Sequence, residues 1–426
     1  MGAVVTRFCN AVTRKKSVNT PTPGLQKRLS LVDLAAVGVS SVVGVGGYVC
    51  VGAGAAEWAG PSIILSVLLT SFSTILTGFV CAELHVRIPK GCGVYAHVYT
   101  TMGELPAVLV ASSLLLDLLL LPAFAARSSS QYMESSINRS LSDLTLHPRL
   151  TFIHDSRYIS PDYDLAALAL VTLCTLMVVA GTKVVCQIGG IAVGVSLLVL
   201  SAISCTAFVR ADLKHWTQHQ GFFPRGLHGV MNGGAIMSIG VIGSHTSSFL
   251  MDECQHSKDT LSRLGMAIGI VFLLALFPSA VAFTLASPSF ETAAPLGNLF
   301  PGASLMAMRA LVGVGGILGL WATVLSSLFG ASRLLHRLSC DGLAPRWLRV
   351  ISPHTATPWV SILICGILFR HNSCHLFFLA PSEDPGYWEF GRRRGWGNGG
   401  AIAPISPPAR SLGRDYPHQP RPFRDF

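Results

Sequence analysis

The chain has 426 residues, half of them hydrophobic and only 12% charged, well below the roughly one-quarter charged share of an ordinary soluble domain. With a mean hydropathy of +0.53, this composition excludes a soluble globular domain and predicts a chain that crosses a bilayer several times. The net charge of +10 is not a nucleic-acid footprint, because the basic residues flank apolar segments, where they report topology, and none of the basic stretches alternates with aromatics as single-strand binding requires.

Residues 1–30 form a basic tail carrying Arg7, Arg14, Lys15, Lys16, Lys27 and Arg28 and no acid. The tail lacks a sustained apolar core, so it is not a cleavable signal peptide, and its charge predicts the cytosolic side. At residues 30–33, "SLVD" is a capping-box pattern in which Ser30 and Asp33 take up the first free N–H groups of a helix. A transmembrane bundle is expected over residues 31–369. Its spans fall at about 31–54, 61–82, 105–126, 164–181, 188–209, 229–250, 264–287 and 310–331, and a partial ninth opens at Pro358 and meets Arg370.

The loops mostly follow the positive-inside rule. Segment 127–163, on the outer side, balances four Arg against four acids and contains "NRS" at 138–140, an acceptor pattern for a glycan on Asn138. Loop 332–357 holds four Arg against Asp341 on the inner side, while the outer loop 210–228 departs from the rule. Residues 370–426 carry eight prolines and no apolar periodicity, and a disordered tail is expected there. The eleven cysteines are scattered without a CxxC pair, which predicts neither a metal site nor a disulfide framework. No cofactor is called for, and no nucleophile–base constellation marks an enzyme.

Two spans contain clustered glycines. Gly44, Gly46 and Gly47 fall near the middle of the first, and Gly233, Gly234, Gly240 and Gly243 near the middle of the sixth. Irregular backbone survives in hydrocarbon only where protein encloses it around a cavity, and glycine-interrupted spans at equivalent places in two halves point to an inverted-repeat transporter. Freed N–H groups would face a substrate carboxylate, as at a helix N-terminus, and freed C=O groups an ammonium. Taken singly, each cluster also suits close helix packing; their occurrence five spans apart favours transport. Asp117 stands in the middle of the third span, in "SSLLLDLLLLPAF". A carboxylate there marks a pathway or a site by default, and it suits a cationic side chain or a substrate amino group.

After the second span the chain reads "CAELHVRIPKGCGVYAHVYTTMGEL" (81–105). This resembles the cationic amino acid transporter family of the amino acid–polyamine–organocation superfamily, with Ala82, Glu83, Leu84, Arg87, Pro89, Lys90, Gly91 or Gly93, Tyr95 and then Gly103-Glu104-Leu105 at the motif positions. "AGPSI" (59–63), "GFFPRG" (221–226) and "SCDGLAPRWL" (339–348) continue the likeness. Glu83 and Arg87 are spaced as an i,i+4 pair.

The resemblance implies an all-α multi-pass membrane protein, a LeuT-like five-plus-five inverted-repeat bundle truncated in its second repeat, which carries an amino acid by alternating access. It places the carbonyl of Val42 and the amides of Gly44, Val45 and Gly46 on the α-amino and α-carboxylate groups. Ser238, Ile239 and Gly240 complete the pocket, and Asp117 reads a cationic end. In the sixth span this chain has "SIGVIGSH" where the family usually has aromatics and "GFD", and it has Gly189-Gly190 where many members carry a lysine. The expected function is transport of cationic amino acids (arginine, lysine) across the plasma membrane, with a lysosomal or other endomembrane as the second location. The alternative is a transport-incompetent relative that senses substrate or modulates intact transporters. The expected partners are the amino acid and the lipid bilayer.

Overall fold

In the computed structural model, the described residues are 14–15, 27–88, 92–137, 165–214, 216, 221–255, 263–286, 306–352, 355 and 357–375. Asn138 with its sequon, most of the basic tail and residues 376–426 lie outside them.

The chain opens on the capping box read from sequence: the Asp33 N–H donates to Ser30 Oγ at 3.2 Å, and the Ser30 N–H donates back to Asp33 Oδ2 at 3.0 Å. Helix α1 begins there as an α-helix over Leu31–Ser41 and widens to a π-helix over Val42–Cys50. It makes one α turn over Val51–Gly54 and is π again over Ala55–Ala59. Gly60, at φ +58°, turns the chain, and a Cβ there would meet Pro224 Cγ at 2.6 Å. Helix α2, Ile63–Arg87, then runs back for 25 residues, roughly 37 Å at 1.5 Å per residue and enough to cross a hydrocarbon core of about 30 Å.

The remaining helices are α3 (Gly93–Thr101), α4 (Glu104–Ile137), α5 (Leu165–Ala180), α6 (Thr182–Val209), α7 (Gly226–Ile242), α8 (Leu264–Ala286), α9 (Met306–Cys340) and α10 (Trp359–His375). Helices stand at every expected span. Five helical segments among the described residues are long and apolar enough to cross a membrane, and the first of these, Leu31–Arg87, covers the first two expected spans. The partial ninth span is corrected: α10 continues through Arg370 to His375, so residues 370–375 belong to a helix and not to the tail.

The outer faces are apolar. On α2, Leu68, Leu69, Phe72, Leu76, Phe79 and Val80 are exposed at helical spacing, the pattern of a face turned to lipid. Between apolar helices in lipid there is little hydrophobic drive, so contacts depend on small residues that let backbones approach. Gly78 of α2 meets the backbone of α8 in this way, with Met266 Cα at 2.8 Å from where a Cβ would stand. Helix α9 is the internal one: Leu320, Ala322, Val324, Leu325, Leu328 and Phe329 are all buried on it.

At the end of the bundle where α1 begins, Arg333 of α9 and Glu253 form a buried ion pair, with Nε–Oε1 at 2.8 Å and a second bond to Oε2 at 3.4 Å. The Glu253 carbonyl also accepts the backbone N–H groups of Arg28 and Leu29, each at 2.9 Å. The segment leading into α1 is thereby held to the end of the α7 region.

Candidate functional site

The two glycine-bearing spans pack against each other, but their backbones differ from the sequence expectation. Residues Val42, Gly44, Val45 and Gly46 lie in a π-helix whose flanks, Ser41 and Val51, keep right-handed helical dihedrals. The Val51 N–H reaches the Gly46 carbonyl, the i to i−5 bond of a π-helix. The backbone is therefore widened rather than unwound. Side chains serve carbonyls in the π segment and just before it: Tyr132 Oη donates to the Tyr48 carbonyl at 2.6 Å, and Thr323 Oγ1 is shared between the Ser40 and Gly319 carbonyls, each at 3.0 Å. Glycine permits the widening because neighbouring main chains come close. A Cβ on Gly44 would overlap Gly319 O, and one on Gly240 would stand 2.7 Å from Gly46 Cα.

In α7 the helix runs without interruption through Ser238, Ile239 and Gly240 to Ile242. The irregularity comes later, as a 3-10 turn over Gly243–His245, one α turn over Thr246–Phe249 and a second 3-10 turn over Met251–Glu253. Gly243 lies directly against the Ser41 side chain, where the π segment of α1 begins. The irregular stretches of the two spans thus meet, but at Ser41 and Gly243, and they meet in contact. The hollow expected between Gly46 and Gly240 is absent from this conformation.

The cavity lies on the other side of α7. It is an open-sided pocket of about 270 Å³ between α2, the α7 region and the start of α8. One wall is a stripe of α2 at helical spacing, with Thr70, Ser73, Thr74, Thr77, Cys81 and His85; the facing wall carries Ser238, Ser244, His245, Ser247 and Ser248. Hydroxyl direction sets its chemistry. Thr74 donates to the Thr70 carbonyl at 2.7 Å, Thr77 to Ser73 at 2.9 Å, Ser238 to Ala235 at 2.6 Å and Ser248 to His245 at 2.6 Å. A hydroxyl that spends its proton on its own helix keeps its lone pairs as acceptors. Among the described residues, no lysine or arginine lines the cavity. The hydroxyl oxygens thus set a row of acceptors in an otherwise largely apolar, open-sided pocket, a lining suited to a donor-rich, positively charged group with an aliphatic stem.

Of the residues singled out from sequence, Ser238 lines the cavity. Asp117, half-buried in the middle of α4, acts electrostatically on His245, which also lines it. Val42, Gly44, Val45 and Gly46 are buried at the α1–α7 and α1–α9 seams, Gly240 is buried opposite Gly46, and Ile239 packs on the core. Sequence reading missed the α2 wall, although Thr70, Thr74, Thr77, Cys81 and His85 recur at three- and four-residue intervals in an otherwise lipophilic helix.

Comparison with known proteins follows the same lines. The sequence profile of the family described as amino acid permease matches residues 29–378. Curated relatives include "Cationic amino acid transporter 4" of Mus musculus, 26% identical over 86% of this chain, and the protein of that name from Homo sapiens, 28% identical over 86%. "Cationic amino acid transporter 4, vacuolar" of Arabidopsis thaliana is 28% identical over 84%. The chain spans 58%, 58% and 61% of these three relatives' lengths. Among solved structures it is similar to MhsT in complex with L-phenylalanine, with a TM-score of 0.57 at 11% identity over 82% of this chain and 80% of that one. It is also similar to Mhp1, a nucleobase-cation-symport-1 family transporter in a closed conformation with bromovinylhydantoin bound (TM-score 0.50, 13% identity, 83% and 75% covered). These likenesses fix the fold as that of the LeuT-type transporters.

Proposed function

The chain belongs to the amino acid permease family, and on that footing we propose that this integral membrane protein carries a cationic amino acid, such as arginine or lysine, by alternating access. The observation that supports the cationic reading is the hydroxyl-lined pocket of about 270 Å³ with no lysine or arginine among its described lining residues and with Asp117 behind His245. Ligand pockets of about 300–1,000 Å³ hold drug-sized molecules, so this volume suits a smaller guest.

In this reading the ammonium or guanidinium group of the substrate rests among Thr74, Thr77, Ser238 and Ser248, and Asp117 supplies the compensating charge. In a later step of the cycle, once the α1–α7 seam has parted and the substrate has moved into it, the backbone around Val42, Gly44, Val45 and Gly46, with Ser238, Ile239 and Gly240 opposite, takes the α-amino and α-carboxylate groups. The contact of Gly46 with Gly240 is then the closed position of that seam. A state shift of this kind requires a ligand that binds the open arrangement better than the closed one.

The test is uptake of labelled arginine into proteoliposomes holding the purified chain. Transport predicts saturable uptake that excess lysine inhibits and excess leucine does not, and that Thr74→Val lowers. Absence of uptake and exchange from a well-folded, correctly inserted chain contradicts it. Arginine binding without flux instead supports a sensor or modulator.

A further inference from the structure

We propose that His97, His85 and His245 form a water-bridged proton path from helix α3, outside the spans, to Asp117 in mid-membrane, so that substrate movement is coupled to proton movement. This rests on the transport reading above. The His85 and His97 rings lie on different elements, the end of α2 and α3, with centroids 4.7 Å apart and planes at 67°. Three of their ring nitrogens, His85 Nε2 and both nitrogens of His97, are buried without a hydrogen-bond partner. The Ile88 backbone acts on His97 from nearby but not in hydrogen-bond geometry. Buried polar atoms in folded proteins nearly always find partners, and exceptions point to water or to a chemical role.

The path continues through the cavity. His85 on α2 and His245 in the α7 region line the same space, with the hydroxyls of Thr77, Ser244 and Ser248 in its wall. Water fits among groups of this polarity. Beyond His245 stands Asp117, and an intramembrane carboxylate beside a histidine is the usual makeup of a proton relay. The titratable groups acting on these four side chains are, among the described residues, one another: His97 and His245 on His85, and Asp117 and His245 on each other.

The proton balance closes at each step. A neutral imidazole accepts a proton on one nitrogen and releases the proton of the other, ending neutral in the opposite tautomer. At the end of the path the Asp117 carboxylate becomes a carboxylic acid. Its proton goes back along the same path to the aqueous phase as the substrate's positive group takes its place, so one positive charge is exchanged for another at the carboxylate. The co-reactant throughout is the aqueous proton.

The experiment uses the full chain in proteoliposomes with two readouts. Arginine-for-arginine exchange at equal pH on both faces reports transport alone. Net arginine uptake under an imposed pH gradient, with a lumenal pH dye, reports coupling. The wild type is expected to exchange, to respond to the gradient and to move protons in the direction opposite to arginine. His97 lies outside the cavity wall, so His97→Gln should leave exchange within about twofold and cut the gradient-stimulated component roughly tenfold or more. His97→Phe keeps a ring packed against His85: a relay predicts that it behaves like His97→Gln, whereas a packing role predicts wild-type behaviour. Exchange without any response to the gradient, or a full response in His97→Gln or His97→Phe, overturns the proton path and leaves transport standing. Failure of wild-type exchange overturns the transport reading, and the proton path with it.

Discussion

Gly240 and Gly234 stand less than two turns apart on α7, yet their surroundings give them opposite tolerance. A Cβ on Gly240 would stand 2.7 Å from Gly46 Cα and 3.2 Å from Gly46 N, which are backbone atoms that cannot swing aside. Gly240→Ala should therefore push α1 and α7 apart and cost about 1–3 kcal/mol. Gly234→Ala meets only Leu69 Cδ2 and Thr70 Oγ1, both at 3.7 Å, and should be neutral or stabilising by about 0.5–1 kcal/mol through helix propensity. Thermal melting in detergent should order the two as Tm of Gly234→Ala above wild type above Gly240→Ala. At His97, outside the spans, burial lowers the imidazole pKa below the usual 6.5. The unfolded chain then binds the proton first, so stability is full above that value and falls as pH drops through it. A melting curve against pH should decline on the acid side of about 6.5, and His97→Gln should flatten part of that decline.

At the scale of the helix, the π segment Val42–Cys50 shows what glycine content does and does not say. Gly44, Gly46 and Gly47 reveal from sequence that the first span is irregular and closely packed. They do not distinguish a widened helix from an unwound one, because that choice depends on lateral donors far away in the chain. Tyr132 and Thr323 provide those donors, and neither is close in sequence to the segment it serves. Tyr132→Phe should strand the buried Tyr48 carbonyl at a cost of about 1–3 kcal/mol. Hydrogen exchange should then quicken at residues 48–52 while α2 remains protected; unchanged exchange there would show that the π carbonyls need no lateral donor. The same limit explains the misplaced break in the sixth span. Gly233, Gly234, Gly240 and Gly243 are indistinguishable as letters, and only the contact of Gly243 with Ser41 identifies the one at the turn. The capping box at Ser30 and Asp33 was legible because its two partners lie three residues apart. The α2 wall of the cavity was legible too, as a Ser/Thr stripe, but only to a reader who already knew that α7 faces it.

For the whole molecule, the end of the bundle where α1 begins is fastened by the buried Arg333–Glu253 ion pair. Glu253 joins Arg333 through its side chain and the segment before α1 through its carbonyl, so three stretches remote in sequence converge on one residue. Glu253→Gln leaves the Arg333 charge buried and uncompensated, and should destabilise the fold by about 3–5 kcal/mol. Glu253→Gln combined with Arg333→Met should recover part of that loss, because a buried pair can be replaced by apolar packing at little net cost. The order of the spans and the family could be read from the chain, but not the place where the irregular stretches of the two glycine-bearing spans meet. The position of the cavity could not, since it depends on which side of α7 is left uncovered once α1 has closed on the other. The account stands on the claim that this acceptor-lined cavity receives a cationic substrate. The most direct measurement is arginine exchange in proteoliposomes by the wild type and by Thr74→Val, whose methyl replaces an acceptor oxygen of nearly equal size. The account predicts saturable exchange by the wild type and a clear rise in KM for Thr74→Val with folding unchanged; exchange by the variant with an unaltered KM would contradict it.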